Sequence, residues 1–232
     1  MLHNYCVTYQ NPGRRERMAH RFQTVGLDHT FIESIPTEDL GIQAKHNILG
    51  KLNSKSFSAM NGHIMAYKQM LTDGHEFAIV CEDDVMLRTD IKKYLPRMID
   101  YMKDTDVEIL LTGYLTTEPP LDVQWSFPKH TEAFGFFQFP YDHWGVQQYI
   151  IKDVYAQHLV NYFGLDYGYR TLSDPDTTHY STDWIITKMT EQRAMISPQL
   201  AVEECPPDIY LNSDTLYHYN CHVANYVPGL HI

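Results

Sequence analysis

The stretch Ala78-Ile79-Val80-Cys81-Glu82-Asp83-Asp84-Val85-Met86-Leu87 sets three carboxylates between two apolar runs. If the backbone stays extended through the triplet, Glu82 and Asp84 project to one face and Asp83 to the other, because side chains alternate along a strand. Two carboxylates on one side, next to water, make a natural seat for a hard cation. Mg²⁺ or Mn²⁺ takes oxygen ligands and keeps positions open for substrate phosphates. A solvated acidic turn is the plain alternative. The apolar residues on both sides of the triplet favour the metal reading.

Such a triplet needs a strand to carry it and helices to cover that strand. The run FAIVC at 77 to 81 is apolar throughout, as in a strand buried on both faces of a parallel or mixed sheet. Before it, the sequence predicts a strand at 4 to 9 and a helix over 14 to 25, with Asn11 as N-cap, Pro12 opening the helix and Gly26 stopping it. A short strand at Phe31-Ile32 follows. A helix from Ser58 to Leu71 carries its apolar stripe on Met60, Ile64, Tyr67 and Leu71. After the triplet come a helix near 96 to 103 with Pro96 in its first turn, and a buried strand at 107 to 112. This alternation is an α/β pattern with a mixed, mainly parallel central sheet flanked by helices.

The second half is expected to add a strand at 145 to 151, a helix at 152 to 163, a helix capped by Ser181, a strand at 193 to 197 and a histidine-bearing tail. Segments 36 to 57 and 164 to 180 read as loops. The stretch from 116 to 144 is rich in aromatics and prolines. Its Trp125, Phe136, Phe137, Tyr141 and Trp144 suit either a recognition surface or a small satellite core. One domain over 1–232 is expected, whose character changes after residue 115 where the aromatic-rich stretch begins.

Composition narrows the partners. Lys and Arg number 18 against 29 Asp and Glu, a formal charge of −11 that repels a phosphate backbone, so no nucleic acid partner is expected. No signal-like leader and no apolar run of membrane-spanning length is visible, so no membrane span is expected. The four cysteines have no CxxC spacing and read as reduced thiols, in keeping with a cytoplasmic protein. A zinc site from Cys205, His218, Cys221 and His222 has no recognised spacing.

Ser58, His63 and Tyr67 in an S-x-x-x-x-H-x-x-x-Y arrangement, followed by AIVCEDDV, resemble glycosyltransferase family 25, the lipopolysaccharide-type and collagen-type sugar transferases of the GT-A fold. The likeness takes in NYCVTYQNPGRRERM at 4 to 18, GHIMAY at 62 to 67 and STDWIITKM at 181 to 189. Gly62 stands where that family usually has Ser before the His. A looser likeness extends to glycosyltransferases of large DNA viruses of algae, which would place the chain in a host cytoplasm.

The resemblance implies a metal-dependent, inverting transferase that moves a sugar from a UDP-sugar donor to a glycan or glycoprotein acceptor with Mn²⁺ (or Mg²⁺). It implies Asp84 as the principal metal ligand, with Glu82 or Asp83 on the ribose or metal-bound water. His218 is the third ligand expected, and His222 the second choice. Inversion requires a base for the acceptor hydroxyl. Asp183, in the first turn after Ser181 and beside Trp184, is the candidate, though a carboxylate there also stabilises the helix dipole. Asp174 and Asp176 are held in reserve. Nucleotide contacts are expected from Thr8, Tyr9 and Arg14 at the end of the first strand. Lys55 and His63 would add positive charge near the diphosphate; His63 as a hydrogen-bonded core residue is the alternative. Two rival readings use the same residues: a metal-dependent phosphohydrolase or nuclease, and a nucleotide-sugar-binding module without catalysis.

Overall fold

Where apolar runs end in turn residues, the chain forms strands that order themselves around β1 (His3–Thr8) and β3 (Phe77–Glu82). The computed structural model describes residues 2–35, 54–118, 134–163, 181–205 and 212–232, with side chains from residue 58 onward in the second of these segments. Asp174, Asp176 and Trp125 lie outside the described residues, as does the side chain of Lys55.

The first half runs β1, α1 (Pro12–Val25), β2 (His29–Glu33), α2 (Ser54–Thr72), β3, β4 (Val85–Leu87), α3 (Ile91–Asp104) and β5 (Ile109–Leu115). The second adds β6 (Gly135–Gln138), β7 (Trp144–Lys152), α4 (Asp153–Phe163), α5 (Thr182–Lys188), β8 (Arg193–Ser197), β9 (Ala201–Glu203) and α6 (Ser213–Asn225). Seven strands form one sheet in the order β2-β1-β3-β7-β5-β8-β6. β1 pairs in parallel with β2 and β3, and β5 with β8, while β7 and β6 run antiparallel to their neighbours. The sheet is therefore mixed and mainly parallel, with β5 of the first half lodged between β7 and β8 of the second.

Both faces of this sheet are covered, so β3 and β7 are buried along nearly their whole length. On one face, α2, α4 and α5 bury Met60, Tyr67, Met70, Leu159 and Ile186 against Val80 and Tyr149. On the other, α1 and α3 bury Phe22, Leu95 and Met98 against Cys81 and Ile150. The α2 stripe ends on Met70, not on the expected Leu71.

Three local features bear on the site. Asn11 caps α1 by accepting the Arg14 N–H at 3.1 Å, which starts the helix at the end of β1 and sets Arg14 in its first turn. Pro96 lies inside α3 instead of in its first turn, because that helix begins at Ile91. The expected histidine-bearing tail is the helix α6, closed at its start by a capping box in which the Asn212 side chain accepts from Asp214 and Thr215 N–H while Thr215 Oγ1 meets Asn212 N. One helical turn then separates His218 from His222, on the same face.

Candidate functional site

The carboxylate triplet lies where β3 ends: Glu82 is the last residue of the strand, and Asp83 and Asp84 form the turn into β4. The turn parts the acids. Asp83 is buried, and its Oδ2 accepts from Thr8 Oγ1 at 2.9 Å and Tyr9 N–H at 3.3 Å, while Arg14 Nη1 donates to Oδ1 at 3.0 Å. Asp83 thus binds the ends of β1 and β3 together. Arg14 also bridges to Asp84 Oδ2 at 2.9 Å. Asp84 Oδ1 is buried and has no hydrogen-bond partner among the described residues.

A fourth acid comes from far along the chain. β4 pairs with β9 in a small antiparallel sheet that sets Val85 opposite Glu203. Glu203 is therefore delivered beside Asp84. Burial pushes the Asp84 carboxyl up to about 7, with the negative charge of Glu203 next in weight and Arg14 opposing. Glu82 is also raised well above its usual range, first by burial and then by Asp84 and Asp183. The arginine responds in kind: burial would lower its pKa, but Asp84 and Asp83 raise it.

Asp183 joins the cluster from the first turn of α5, whose N-cap Ser181 accepts the Trp184 N–H. Its Oδ2 accepts the Gly145 N–H at 2.8 Å. Gly145 has φ +98°, and a Cβ there would strike the Leu115 backbone nitrogen, so only glycine presents its N–H to Asp183 in this way. Burial raises the Asp183 pKa, and the Gly145 N–H partly offsets it.

His218 closes the group. Its Nδ1 stands 2.6 Å from Glu203 Oε2, a contact that raises its pKa. His222 Nδ1–H donates to the Glu203 carbonyl at 2.7 Å. Glu82, Asp84, Asp183 and His218 are thus brought to one place, and Thr8, Tyr9 and Arg14 to its border. Glu203 was missed in the sequence, although LAVEE at 200 to 204 repeats the form of AIVCEDD: a short apolar run ending in adjacent carboxylates.

Not every expected residue takes the position anticipated. His63 is fully buried, with Nδ1 2.7 Å from Tyr149 Oη in a chain that continues to Tyr67 Oη at 2.5 Å. Burial depresses its pKa to about 3, so it is neutral and brings no positive charge to a diphosphate. It reaches the cluster only through Nε2, 3.9 Å from Glu82 Oε1. The aromatic segment divides. Phe136 stacks on Tyr101 of α3 with ring centroids 3.8 Å apart, as satellite core, while Phe137 and Tyr141 line an open cleft.

A cavity of about 480 Å³ opens at the carboxyl ends of β1 and β3, lined by Thr8, Tyr9, Arg14, Glu82, Asp83 and Asp84 together with Ser34 and Ser58. That size and that position, beyond the carboxyl ends of parallel strands, suit a nucleotide. Among the described residues no group of three or more His, Cys, Asp or Glu is arranged to hold a metal ion, and this includes the four-ligand zinc combination. The cluster nevertheless fits a hard divalent cation in its chemistry: its donors are carboxylate oxygens, and one of them, Asp84 Oδ1, is buried and unpartnered. Mg²⁺-type sites use only one or two protein carboxylates when substrate phosphates supply the other ligands.

Comparison with known proteins gives the class of chemistry: residues 1–167 match a glycosyltransferase family model, so the chain is an enzyme that takes a sugar donor and an acceptor. The model is that of glycosyltransferase family 25 (LPS biosynthesis protein), and the chain belongs to that family. The hydrolase and non-catalytic readings give way to it. No curated protein matches. Among solved structures, a glycosyltransferase involved in the glycosylation of the major capsid of PBCV-1 is similar at 10% identity and TM-score 0.47, over 96% of this chain and 100% of that one. A197 from STIV is similar at 9% identity and TM-score 0.41, over 84% of this chain and 81% of that one. Among the described residues no helix is long and apolar enough to cross a membrane.

Proposed function

We propose that this chain is a metal-dependent, inverting glycosyltransferase that moves a sugar from a UDP-sugar to a hydroxyl of a glycan or glycoprotein. The observation that carries the reading is Asp84 Oδ1, buried and unpartnered amid Glu82 and Glu203 at the edge of a nucleotide-sized cavity. Carboxylates crowded in this way repel one another unless a cation joins them.

Asp84 and Glu82 would hold Mn²⁺ or Mg²⁺, with His218 offering Nε2 while Glu203 holds Nδ1, the usual carboxylate support of a metal-ligating imidazole. The metal, when bound, neutralises negative charge on the leaving diphosphate. Arg14, in the first turn of α1 and at the cavity wall, adds a fixed positive charge on the same side. Thr8 and Tyr9, at the cavity's β1 edge, face the nucleoside. Asp183 takes the acceptor proton: one oxygen is fixed by Gly145 and its raised pKa makes it the stronger base.

The test is turnover of UDP-sugars with saccharide acceptors in Mn²⁺. Product formation abolished by a chelator and restored by Mn²⁺ supports the reading, whereas full turnover in chelator contradicts it.

A further inference from the structure

A second cavity, of about 880 Å³, lies at the β5, β8 and β6 side of the sheet, away from the β1 and β3 ends that line the nucleotide-sized one. Its wall is the segment from Phe137 to His143, the end of β6 and its link to β7, and Tyr217 of α6 lines it from another element. Two of its walls carry residues adjacent in sequence to the cluster or packed on such a residue. Tyr141 meets the Trp184 ring edge-on at 5.1 Å, next to Asp183, and Trp144 lies 5.6 Å from the same ring. Tyr217 immediately precedes His218.

The wall is built rather than loose. Lys188, five residues after Asp183 on α5, donates to the carbonyls of Pro140 at 3.1 Å and His143 at 2.9 Å, and its ammonium lies over the Phe139 ring at 4.7 Å. Arg193 Nε donates to the Phe139 carbonyl at 3.2 Å, and Nη1 to Thr190 at 2.7 Å. Two cations thus hold the backbone on both sides of Tyr141. They leave its side chain 55% exposed, with Tyr217 41% exposed nearby. Lys188 and Arg193 each also lie 5.4 Å from the Tyr141 ring centroid, and the part of that ring left open, with the half-open Tyr217 ring, offers a stacking face for the apolar side of a sugar.

Charge selects among saccharides. Lys188 and Arg193 are occupied with carbonyls, and Arg193, which also lines the cleft, has a side chain only 3% exposed, while the acidic residues Glu118 and Asp142 line the cleft as well. Carboxylates accept hydrogen bonds from hydroxyls and repel an anionic sugar.

We infer that this cleft is the acceptor subsite and that it takes a neutral saccharide, stacked on Tyr141 and Tyr217, in preference to a uronic or sialic acid. This rests on the transferase reading above. The test uses methyl β-lactoside and methyl β-cellobioside, with the corresponding uronides, in saturation-transfer NMR and affinity titrations on the full chain. UDP binding in Mn²⁺ is measured on the same samples. At least one neutral probe is expected to bind with saturation transferred to its ring protons, the uronides about tenfold more weakly. Tyr141→Ala and Tyr217→Ala should each weaken the neutral probe about tenfold, with UDP affinity kept within twofold. Failure of every neutral probe to bind, equal affinity in wild type and both variants, or a preference for uronides overturns the inference. If UDP binds as proposed in that event, the transferase reading stands without this subsite. If UDP does not bind, it is the donor assignment that fails, and the sugar titrations still read the cleft. Because the two tyrosines are exposed and lie on separate elements, misfolding of one variant leaves the other to report.

Discussion

His218 Nδ1 lies 2.6 Å from Glu203 Oε2, and this contact joins the late helix α6 to the acid that presses on Asp84. With Nδ1–H donating to this carboxylate, the neutral imidazole leaves Nε2 as a lone-pair donor. Glu203→Gln keeps the shape of the side chain but removes its charge. It is expected to weaken Mn²⁺ affinity by about 10- to 100-fold, the usual range for a supporting partner of a ligating histidine. Unchanged Mn²⁺ affinity in this variant would remove His218 from the ligand set.

Asp183 is expected to act on the acceptor and not on the donor. Asp183→Asn preserves a group that can accept from Gly145 N–H but cannot take a proton. Donor affinity should stay within a few-fold while the transfer rate falls about 10²- to 10⁴-fold, the span of general-base contributions. Single-turnover kinetics separate the two quantities. Transfer at the wild-type rate would place the base elsewhere.

Gly62 explains one departure from the family pattern in packing terms. A Cβ at this position would collide with Ser34 Oγ and Val7 Cγ1, because α2 crosses the ends of β1 and β2 at close range there. Gly62→Ala should cost about 1–3 kcal/mol and lower Tm by about 2–10 °C. Thermal unfolding checks it, and an unchanged Tm contradicts the close crossing.

Acid stability should carry the mark of a buried neutral histidine. Burial, with Arg88 adding to it, depresses the His231 pKa to about 4, and its Nδ1 accepts the Val227 N–H at 3.0 Å. A lowered folded-state pKa means that the unfolded chain binds the proton first. The stability this residue contributes is complete above about pH 6.5 and is lost as pH falls toward 4, at up to about 1.4 kcal/mol per pH unit. Urea unfolding from pH 7 to pH 5 should therefore show a shallower decline for His231→Gln than for wild type; parallel declines would contradict it.

The fold was legible wherever a local signal was strong. The Asn11-Pro12 start and Gly26 stop of α1, the Ser181 cap of α5 and the apolar run of β8 each depend on neighbours within a few residues. β4 and β9 were not legible, because three-residue strands exist only through their mutual pairing. That pairing delivers Glu203, so the acid most needed to explain Asp84 had no local sign beyond the LAVEE run. The start of α3 was misread because Pro96 suggests a first turn, yet the buried face of that helix begins with Ile91 and tolerates the proline inside. His63 had two readings in the sequence, and its contact with Tyr149 fits the hydrogen-bonded core residue.

The central claim is that Asp84 anchors a divalent ion through which the donor's diphosphate is held. Titrating UDP into wild type and Asp84→Ala by calorimetry, with and without Mn²⁺, tests it directly. Wild type is expected to bind UDP at least tenfold more tightly with Mn²⁺, and Asp84→Ala to lose that gain. UDP binding of equal strength without metal, or a Mn²⁺ gain retained in Asp84→Ala, would contradict it.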